Sequence, residues 1–177
     1  MLVQEVLEHL VAQIANAYGA EAFATVSPEK FSIVESYGVT PINYQKVSVE
    51  QYVGAHTEGE GFDIVYDTLG GITRDAFFKA AKIYTGHVVS SLGWGTHPLA
   101  PLSFRGATYS RVFTLLPLLT GKYRAHHGEI LDLAADLASS GKLRPLVNET
   151  RFTSKDIASA YALVESNVDG KIVVEME

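Results

Sequence analysis

The stretch that most constrains the fold is residues 59–71, GEGFDIVYDTLGG. Residues 62–66 form an apolar run bounded by turn residues, which is typical of a strand covered on both faces in a parallel α/β sheet. The run ends in a carboxylate, Asp67, and then a glycine pair. A second run of this form, residues 86–92, ends in the Gly-Trp-Gly of residues 93–95. Open α/β sheets bind ligands at the carboxyl ends of such strands, so we expect a ligand crevice there.

Length and composition exclude several classes of protein. The 177 residues are enough for one well-buried core with a small appendage. A net charge of -6 argues against a nucleic-acid surface. The absence of cysteine removes disulfides, thiolate zinc ligands and a cysteine nucleophile. No apolar run reaches the roughly 18 residues that span a bilayer, and the first residues lack the basic segment of a secretory signal. We therefore expect a cytoplasmic protein that does not bind membranes or nucleic acid.

Strands and helices alternate along the predicted chain. Apolar residues at helical spacing predict one helix over residues 2–18, with Gly19 as its C-terminal cap. A strand over residues 21–26 precedes a helix that Ser27 caps through its hydroxyl and that ends at residue 38. The later predicted elements are a strand at 39–44, a helix capped by Ser48 and ending at 56, a helix at about 73–84, a loop and strand within 99–113, a helix at 125–140, a strand from 143, a capping box at 153–156 with a helix to 165, and a strand at 171–175. This order predicts an α/β fold, a doubly wound parallel sheet with helices on both faces.

Five segments together carry a resemblance to a known family. They are AQIANAYGAEAFATVSPEK, FDIVYDTLGG, GHVVSSLGWG, GKLRPLV and GKIVVEME, and they occur in the expected order with compatible spacing. The chain resembles the C-terminal, nucleotide-binding half of the medium-chain dehydrogenases/reductases, in particular the zinc-independent quinone oxidoreductases. The resemblance implies a Rossmann-like domain over residues 1–142 with a remodelled first helix. It also implies that residues 143–177 correspond to the tail that completes the catalytic domain in full-length relatives.

The chain departs from this family at its beginning. The resemblance implies an upstream barrel-like catalytic domain, which is missing, and a first strand followed by a glycine-rich phosphate loop. Gln4 to Glu8 stand at the place of that loop, and no glycine precedes Gly19. Glycines let backbone N–H groups approach a pyrophosphate, whereas Glu5 and Glu8 introduce side chains and negative charge. We expect the first strand to be absent and the chain to be a natural remnant, a truncated product or an engineered fragment.

Three residues predict how the adenosine end of a cofactor binds. Ser27 and Lys30 follow the second predicted strand with no carboxylate at the strand end, and a hydroxyl with an ammonium suits the 2′-phosphate of NADP. By resemblance, Tyr44 joins them. The structural alternative is that Ser27 only caps a helix, Lys30 is a solvated charge and Tyr44 is an ordinary strand aromatic.

Further cofactor contacts are implied at the next two strand ends. By resemblance, Asp67, Thr68 and Gly70 line the cofactor crevice, while Gly93 and Trp94 lie beside the nicotinamide. The alternative is that Asp67 caps the following helix and the glycines make turns, with the tryptophan packed on the surface. These residues, with Ser27, Lys30 and Tyr44, complete the predicted cofactor site.

Neither a metal site nor a set of catalytic residues is predicted. His126 and His127 are adjacent in a helix and point about 100° apart, so they do not share an ion readily. Residues 107–113 resemble the edge strand through which the family pairs two subunits, which predicts a homodimer through this strand or through the N-terminal helix. Arg111 within that strand leaves a monomer as the alternative, because charge protects an edge.

The sequence predicts a fragment or derivative of an NADP-dependent quinone or enone oxidoreductase. In the parent enzyme the reaction is hydride transfer, with the chemistry carried by the cofactor. We expect little or no turnover from the chain alone, because the phosphate loop and the substrate-side domain are missing. Two alternatives stay open, namely a non-catalytic scaffold or interaction protein and one subunit of a split enzyme.

Overall fold

The computed structural model describes residues 1–4, 8–166 and 168–176. Over this range the chain forms two compact units, Met1–Leu143 and Arg144–Glu177. Each unit contains its own β-sheet. No helix within the described ranges is long and apolar enough to cross a membrane.

The first unit is built on a six-stranded sheet. Its strands are β1 (Leu2–Gln4), β2 (Phe23–Val26), β3 (Thr40–Asn43), β4 (Ile64–Asp67), β5 (His87–Ser90) and β6 (Thr108–Arg111). They lie in the order β3-β2-β1-β4-β5-β6, and every neighbouring pair is parallel. Strands β2 and β3 therefore lie on one side of β1, and the chain then crosses back to place β4, β5 and β6 on the other side. The predicted doubly wound parallel sheet is confirmed, and its topological switch point lies between β1 and β4.

The expected absence of the first strand is wrong. Leu2–Gln4 is a strand that pairs with β2 on one side and with β4 on the other, so it occupies the centre of the sheet. The predicted helix over residues 2–18 is correspondingly shorter and runs over Glu8–Ala17 as α1. Helical spacing of apolar residues could not reveal this, because a three-residue strand gains its stability from partners distant in the sequence. Residues 5–7, within the predicted phosphate-loop position, lie outside the described residues.

Within the described part of the first unit, five helices occur where the sequence predicts them, with shifted ends, and two are additional. After α1 they are α2 (Phe31–Ser36), α3 (Val49–Thr57), α4 (Gly71–Phe77), α5 (Ala100–Ser103), α6 (Leu115–Thr120) and α7 (Arg124–Ser139). The additional helices are α5, which lies in the predicted loop and strand of 99–113, and α6, for which the sequence predicts no element. Gly19 has a φ of 81° just after α1, as a C-terminal cap requires. The predicted cap at Ser48 is confirmed: its hydroxyl accepts the Gln51 N–H at 3.3 Å, and the Gln51 side chain accepts the Ser48 N–H at 2.7 Å.

The helix predicted over 73–84 is wrong in its second half. Helix α4 ends at Phe77, and the backbone beyond it pairs with Phe62 instead. The Phe62 N–H donates to the Ala80 carbonyl at 2.8 Å, and the Lys82 N–H donates to the Phe62 carbonyl at 2.9 Å. This bridge also explains why β4 begins at Ile64 rather than at the predicted residue 62, since Phe62 is used in a separate pairing.

Apolar side chains are buried on both faces of the sheet. Because successive strand residues point to opposite faces, Phe23 and Ala24 of β2 enter different cores. Phe23 belongs to a cluster with Tyr52 of α3 and Phe77 of α4. Ala24 belongs to a second cluster with Ala12 of α1. Helices thus cover both faces, as the alternating pattern predicts.

The second unit is a small strand–helix–strand arrangement. Strand β7 (Val147–Thr153) pairs in parallel with β8 (Lys171–Glu175), and α8 (Ile157–Glu165) connects them after a 3₁₀ turn at Ser154–Asp156. The predicted capping box is wrong, because the Thr153 hydroxyl donates to the Asp156 carboxylate at 2.8 Å and neither side chain caps the backbone. The predicted tail of strand, helix and strand is otherwise observed.

Candidate functional site

The sequence-predicted cofactor residues all lie at or just after carboxyl ends of strands in the first unit. Since the strands are parallel, these ends share one edge of the sheet. Ser27 and Lys30 follow β2, Tyr44 follows β3, Asp67 is the last residue of β4 with Thr68 and Gly70 after it, and Gly93 and Trp94 follow β5. They form two groups on opposite sides of β1. Contact of these residues with a ligand stays a prediction, whereas their common edge is a feature of the fold.

The end of β2 carries a carboxylate that the sequence analysis overlooked. Ser27 is buried, and its hydroxyl donates to Oε1 of Glu29 at 2.6 Å. This bond is the main cause that lowers the pKa of the Glu29 carboxyl below its ordinary value. The expected hydroxyl cap is therefore wrong, because the Ser27 side chain bonds Glu29 instead of the backbone. A 3₁₀ turn over Pro28–Lys30 brings this acidic group back to the strand end.

Tyr44 lies beside this group through strand register. Val26 at the end of β2 pairs with Asn43 at the end of β3, so Ser27 and Tyr44 leave neighbouring strand ends. The Tyr44 ring is 44% exposed, which leaves it available for a ligand. Lys30 is half-buried within the turn that follows Ser27.

Asp67 is fully buried, and other groups of the chain occupy its carboxylate. Its Oδ1 accepts the N–H of Leu69 at 3.1 Å and that of Gly70 at 2.9 Å. Its Oδ2 accepts the hydroxyl of Ser90, at the end of β5, at 2.6 Å. The carboxylate thus orders the turn before α4 and joins β4 to β5. This favours the structural interpretation of Asp67 over a direct ligand contact, and Thr68 beside it is also buried.

Gly70 occupies a position that no other residue fits. Its φ of 71° and ψ of -161° belong to a region that is essentially restricted to glycine. A β-carbon built on Gly70 would lie 2.5 Å from the carbonyl oxygen of Leu92. The turn after β4 and the loop after β5 therefore approach each other closely, and this contact shapes the edge of the sheet beside Asp67.

Arg74 and His97, which the sequence analysis did not select, support the loop after β5. The Arg74 guanidinium is fully buried and donates to the Leu92 carbonyl at 3.4 Å and to the imidazole of His97. The other ring nitrogen of His97 lies 2.7 Å from the Trp94 carbonyl oxygen. Asp75 lies 3.3 Å from the same imidazole. The sequence offers no signal for this cluster, because an arginine within a short helix reads as a surface residue.

A pocket of about 370 Å³ opens at the carboxyl ends of β5 and β6. Its walls include Gly93, Trp94, Arg111 and Phe113. The indole of Trp94 is 64% exposed and meets the Phe113 ring edge-to-face, with centroids 5.6 Å apart. Arg111 donates to the Gly93 carbonyl at 3.1 Å, so this side chain is directed to the pocket wall as well as lying in the edge strand. The volume lies within the range of small-molecule sites.

Comparison with known proteins gives the family. The family of zinc-binding dehydrogenases matches residues 38–174, which is more than half of the chain. The chain belongs to this family. The predicted kinship with the C-terminal, nucleotide-binding half of the medium-chain dehydrogenases/reductases is thereby confirmed.

Solved structures and a curated relative agree with this assignment. An alcohol dehydrogenase superfamily protein from Novosphingobium aromaticivorans is 47% identical with a TM-score of 0.92, over 99% of this chain and 55% of that one. The Escherichia coli quinone oxidoreductase complexed with NADPH is 23% identical with a TM-score of 0.76, over 97% of this chain and 56% of that one, which shows the fold alone. A mycoketide-CoA synthase of Mycobacterium tuberculosis is 30% identical over 93% of this chain and 4% of its own length. The chain thus spans about half the length of these solved relatives.

Zinc, which the family name implies, does not fit the residues present. The sequence has no cysteine, and the described part of the chain contains no group of three His, Asp or Glu side chains that could hold a metal ion. His126 is exposed at the start of α7, and its imidazole lies 3.0 Å from the Glu129 carboxylate in an ordinary surface pair.

Proposed function

We propose that this chain is the nucleotide-binding part, or a derivative, of a zinc-independent, NADP-dependent quinone or enone oxidoreductase. The observation that carries the proposal is the strand order β3-β2-β1-β4-β5-β6, with the candidate residues on both sides of the carboxyl end of β1. Dinucleotides bind at this switch point in doubly wound sheets. The bound cofactor would supply the hydride, and the residues of this chain would hold and orient it.

The β2–β3 side of the crevice suits the adenosine end of the cofactor. Lys30 would give a charge-assisted hydrogen bond to a 2′-phosphate, and the exposed ring of Tyr44 would cover the ribose or the base. Support for NADP comes from the E. coli quinone oxidoreductase, whose structure contains NADPH. Kinship with a protein that binds NADPH makes NADP the cofactor to test first.

The β5–β6 side suits the nicotinamide end. The pocket lined by Trp94, Phe113 and Arg111 is large enough for a flat ring. Gly93 is tightly enclosed, since a β-carbon there would lie 2.5 Å from Cγ of Arg111 and 2.6 Å from the Tyr109 hydroxyl. A larger residue at this position would displace the Arg111 or Tyr109 side chain, so glycine lets Arg111 keep its place in the pocket wall.

The segment between the two ends favours weak binding. The residues at the phosphate-loop position include Glu5 and Glu8 and no glycine, so close backbone approach to a pyrophosphate is disfavoured. We therefore propose low cofactor affinity and little or no turnover for the 177-residue chain by itself. The alternative function, a non-catalytic scaffold or interaction protein on this fold, predicts no cofactor binding at all.

Titration of the single tryptophan tests the proposal. Trp94 lies in the pocket assigned to the nicotinamide, so saturable NADPH binding should quench its emission and transfer energy to the reduced ring. Lys30→Ala should weaken NADPH binding by roughly ten- to 150-fold, because a charge-assisted hydrogen bond contributes roughly 1.5–3 kcal/mol, and should change NADH binding by less than about twofold. Lys122→Ala, which removes an exposed lysine between α6 and α7, is the matched control and should have no effect. A flat titration at millimolar concentrations of both nucleotides would reject the oxidoreductase function in favour of the scaffold.

We also propose a homodimer formed through the 107–113 edge strand. Strand β6 lies at the edge of the six-stranded sheet, where unpaired backbone groups favour addition of a second strand. Helix α1 is the other candidate surface. Light scattering of the purified chain should give twice the mass of 19.2 kDa, and the substitution Tyr109→Pro should reduce it to the monomer value if β6 forms the interface. A dimer that persists in this variant would assign the interface elsewhere.

A further inference from the structure

The contact between Ser27 and Glu29 bears on which ribose the site accepts. A serine hydroxyl has a single hydrogen to donate, and here the Ser27 hydrogen is directed to the Glu29 carboxylate at 2.6 Å. The hydroxyl is buried, whereas the carboxylate is exposed and faces solvent. While this bond is made, any group that binds next to Ser27 meets two oxygen-bearing groups, the Ser27 hydroxyl and the Glu29 carboxylate, that can accept hydrogen bonds but cannot donate one.

The two forms of the cofactor differ in how they match such a pair. A 2′-phosphate carries only acceptor oxygens and about −1.5 to −2 charges, so it gains nothing from Ser27 and is repelled by Glu29. A ribose 2′-hydroxyl can donate to the carboxylate, which is the interaction that selects an unphosphorylated ribose in dinucleotide sites. Lys30, in the same turn, acts in the opposite direction because its ammonium attracts a phosphate.

We propose that Glu29 is a specificity-determining residue that reduces the preference for NADPH over NADH by occupying Ser27 and by repelling the 2′-phosphate. The proposal rests on the proposed function, because it concerns the adenosine end of the same dinucleotide site. Glu29 and Lys30 oppose each other, so the unmodified chain prefers NADPH over NADH by less than Lys30 alone would produce. Neither residue alone determines which nucleotide binds, and the balance between them sets the ratio of NADPH affinity to NADH affinity.

Substitution of Glu29 by glutamine removes the negative charge and keeps nearly the same side-chain size and shape. The side-chain carbonyl of the introduced glutamine can still accept the Ser27 hydroxyl, and its amide group adds a donor for phosphate. One negative charge about 5 Å from a phosphate dianion in solvent opposes binding by roughly five- to tenfold after partial screening. Glu29→Gln should therefore strengthen NADPH binding roughly fivefold and leave NADH binding unchanged or weaken it up to about threefold. Glu60→Gln, the same change in net charge near the opposite end of the strands, where β4 begins, should alter neither.

Calorimetric titration of the unmodified chain, Glu29→Gln and Glu60→Gln with NADPH and with NADH gives the test. A rise in the ratio of NADPH to NADH affinity in Glu29→Gln, absent in Glu60→Gln, supports the proposal. Equal ratios in all three chains, with measurable binding, overturn it and leave the proposed function intact. The absence of heat from either nucleotide with every chain overturns the proposed function, and this inference with it. Thermal unfolding of each variant should match the unmodified chain, because Glu29 and Glu60 are both exposed.

Discussion

The hydroxyl of Ser90 provides the sharpest test of how the carboxyl ends of β4 and β5 are held together. Ser90 is fully buried at the end of β5; its hydroxyl donates to Oδ2 of Asp67 at 2.6 Å and accepts the Leu92 N–H at 3.2 Å. Ser90→Ala removes a hydrogen bond to a charged group, which contributes about 1.5–3 kcal/mol, and leaves the Leu92 N–H without its acceptor. We expect a loss of about 3 kcal/mol in the free energy of unfolding.

Ser91→Ala is the matched control, because it makes the same chemical change one residue along the chain. The Ser91 hydroxyl is only half-buried and donates to the backbone carbonyl of Asp67 at a longer distance, 3.3 Å. A neutral bond of this kind contributes about 0.5–1.5 kcal/mol, so the two serines should differ by about 2 kcal/mol. Asp67→Ala, alone and combined with Ser90→Ala, completes a double-mutant cycle.

Urea unfolding followed by Trp94 emission measures these free energies within the first unit, which contains the only tryptophan. The cycle should give a coupling energy between Asp67 and Ser90 of about 1.5–3 kcal/mol. Equal losses for the two serine variants, or a coupling below about 0.5 kcal/mol, would refute the view that the carboxylate is committed to the fold. The Asp67 carboxylate would then return as a candidate for ligand contact.

Three further changes test other parts of the first unit. Gly70→Ala should cost about 3 kcal/mol or more, from its glycine-only backbone and the contact with Leu92, whereas Gly71→Ala, with open space around a β-carbon, should cost about 1 kcal/mol in urea unfolding. Tyr52→Phe should stabilise the fold by about 1 kcal/mol in the same assay, because the buried Tyr52 hydroxyl has no hydrogen-bond partner among the described residues. The hydrogen bond from Lys82 lowers the pKa of Asp63, so this carboxylate stabilises the fold above its unfolded pKa and loses that effect as the pH falls below about 4. Asp63→Asn should therefore be less stable than the unmodified chain near pH 7, and the difference between their melting temperatures should shrink as the pH falls below about 4.

The sequence identifies the parts of the fold that local pattern determines. The strands that end at Asp67 and Ser90 are predicted because short apolar runs between turn residues are typical of buried strands. The Ser48 cap is predicted because its partner, Gln51, lies only three residues further along the chain. Strand β1 is missed because its partners, β2 and β4, lie about 20 and 60 residues further on, and three residues are too few to establish a period. The family resemblance implies a first strand here, whereas the helical spacing of residues 2–18 predicts a helix, and the structure agrees with the resemblance over Leu2–Gln4.

The missed residues of the site share a different cause. Glu29 follows the strand end by three residues, and only the 3₁₀ turn returns its carboxylate to Ser27. Arg74 bonds the Leu92 carbonyl, 18 residues further along the chain, and this contact depends on how α4 lies beside the loop after β5. A single sequence contains no signal for either contact, because each is set by the three-dimensional course of a turn. The sequence shows which polar residues follow a strand end, but it does not show which groups their side chains contact.

The sequence before α1 is the reason why we propose a low cofactor affinity for this fold. In a dinucleotide site the N-terminus of this helix offers free N–H groups and the positive end of its dipole to the pyrophosphate. Here the sequence at this position, Gln4 to Glu8, contains two glutamates and no glycine. Glycines would let the backbone N–H groups approach the pyrophosphate, so this sequence disfavours the ligand. We therefore expect any cofactor affinity to come from the two ends of the crevice, at Ser27 to Tyr44 and at Trp94, and to respond directly to single charges at Glu29 and Lys30.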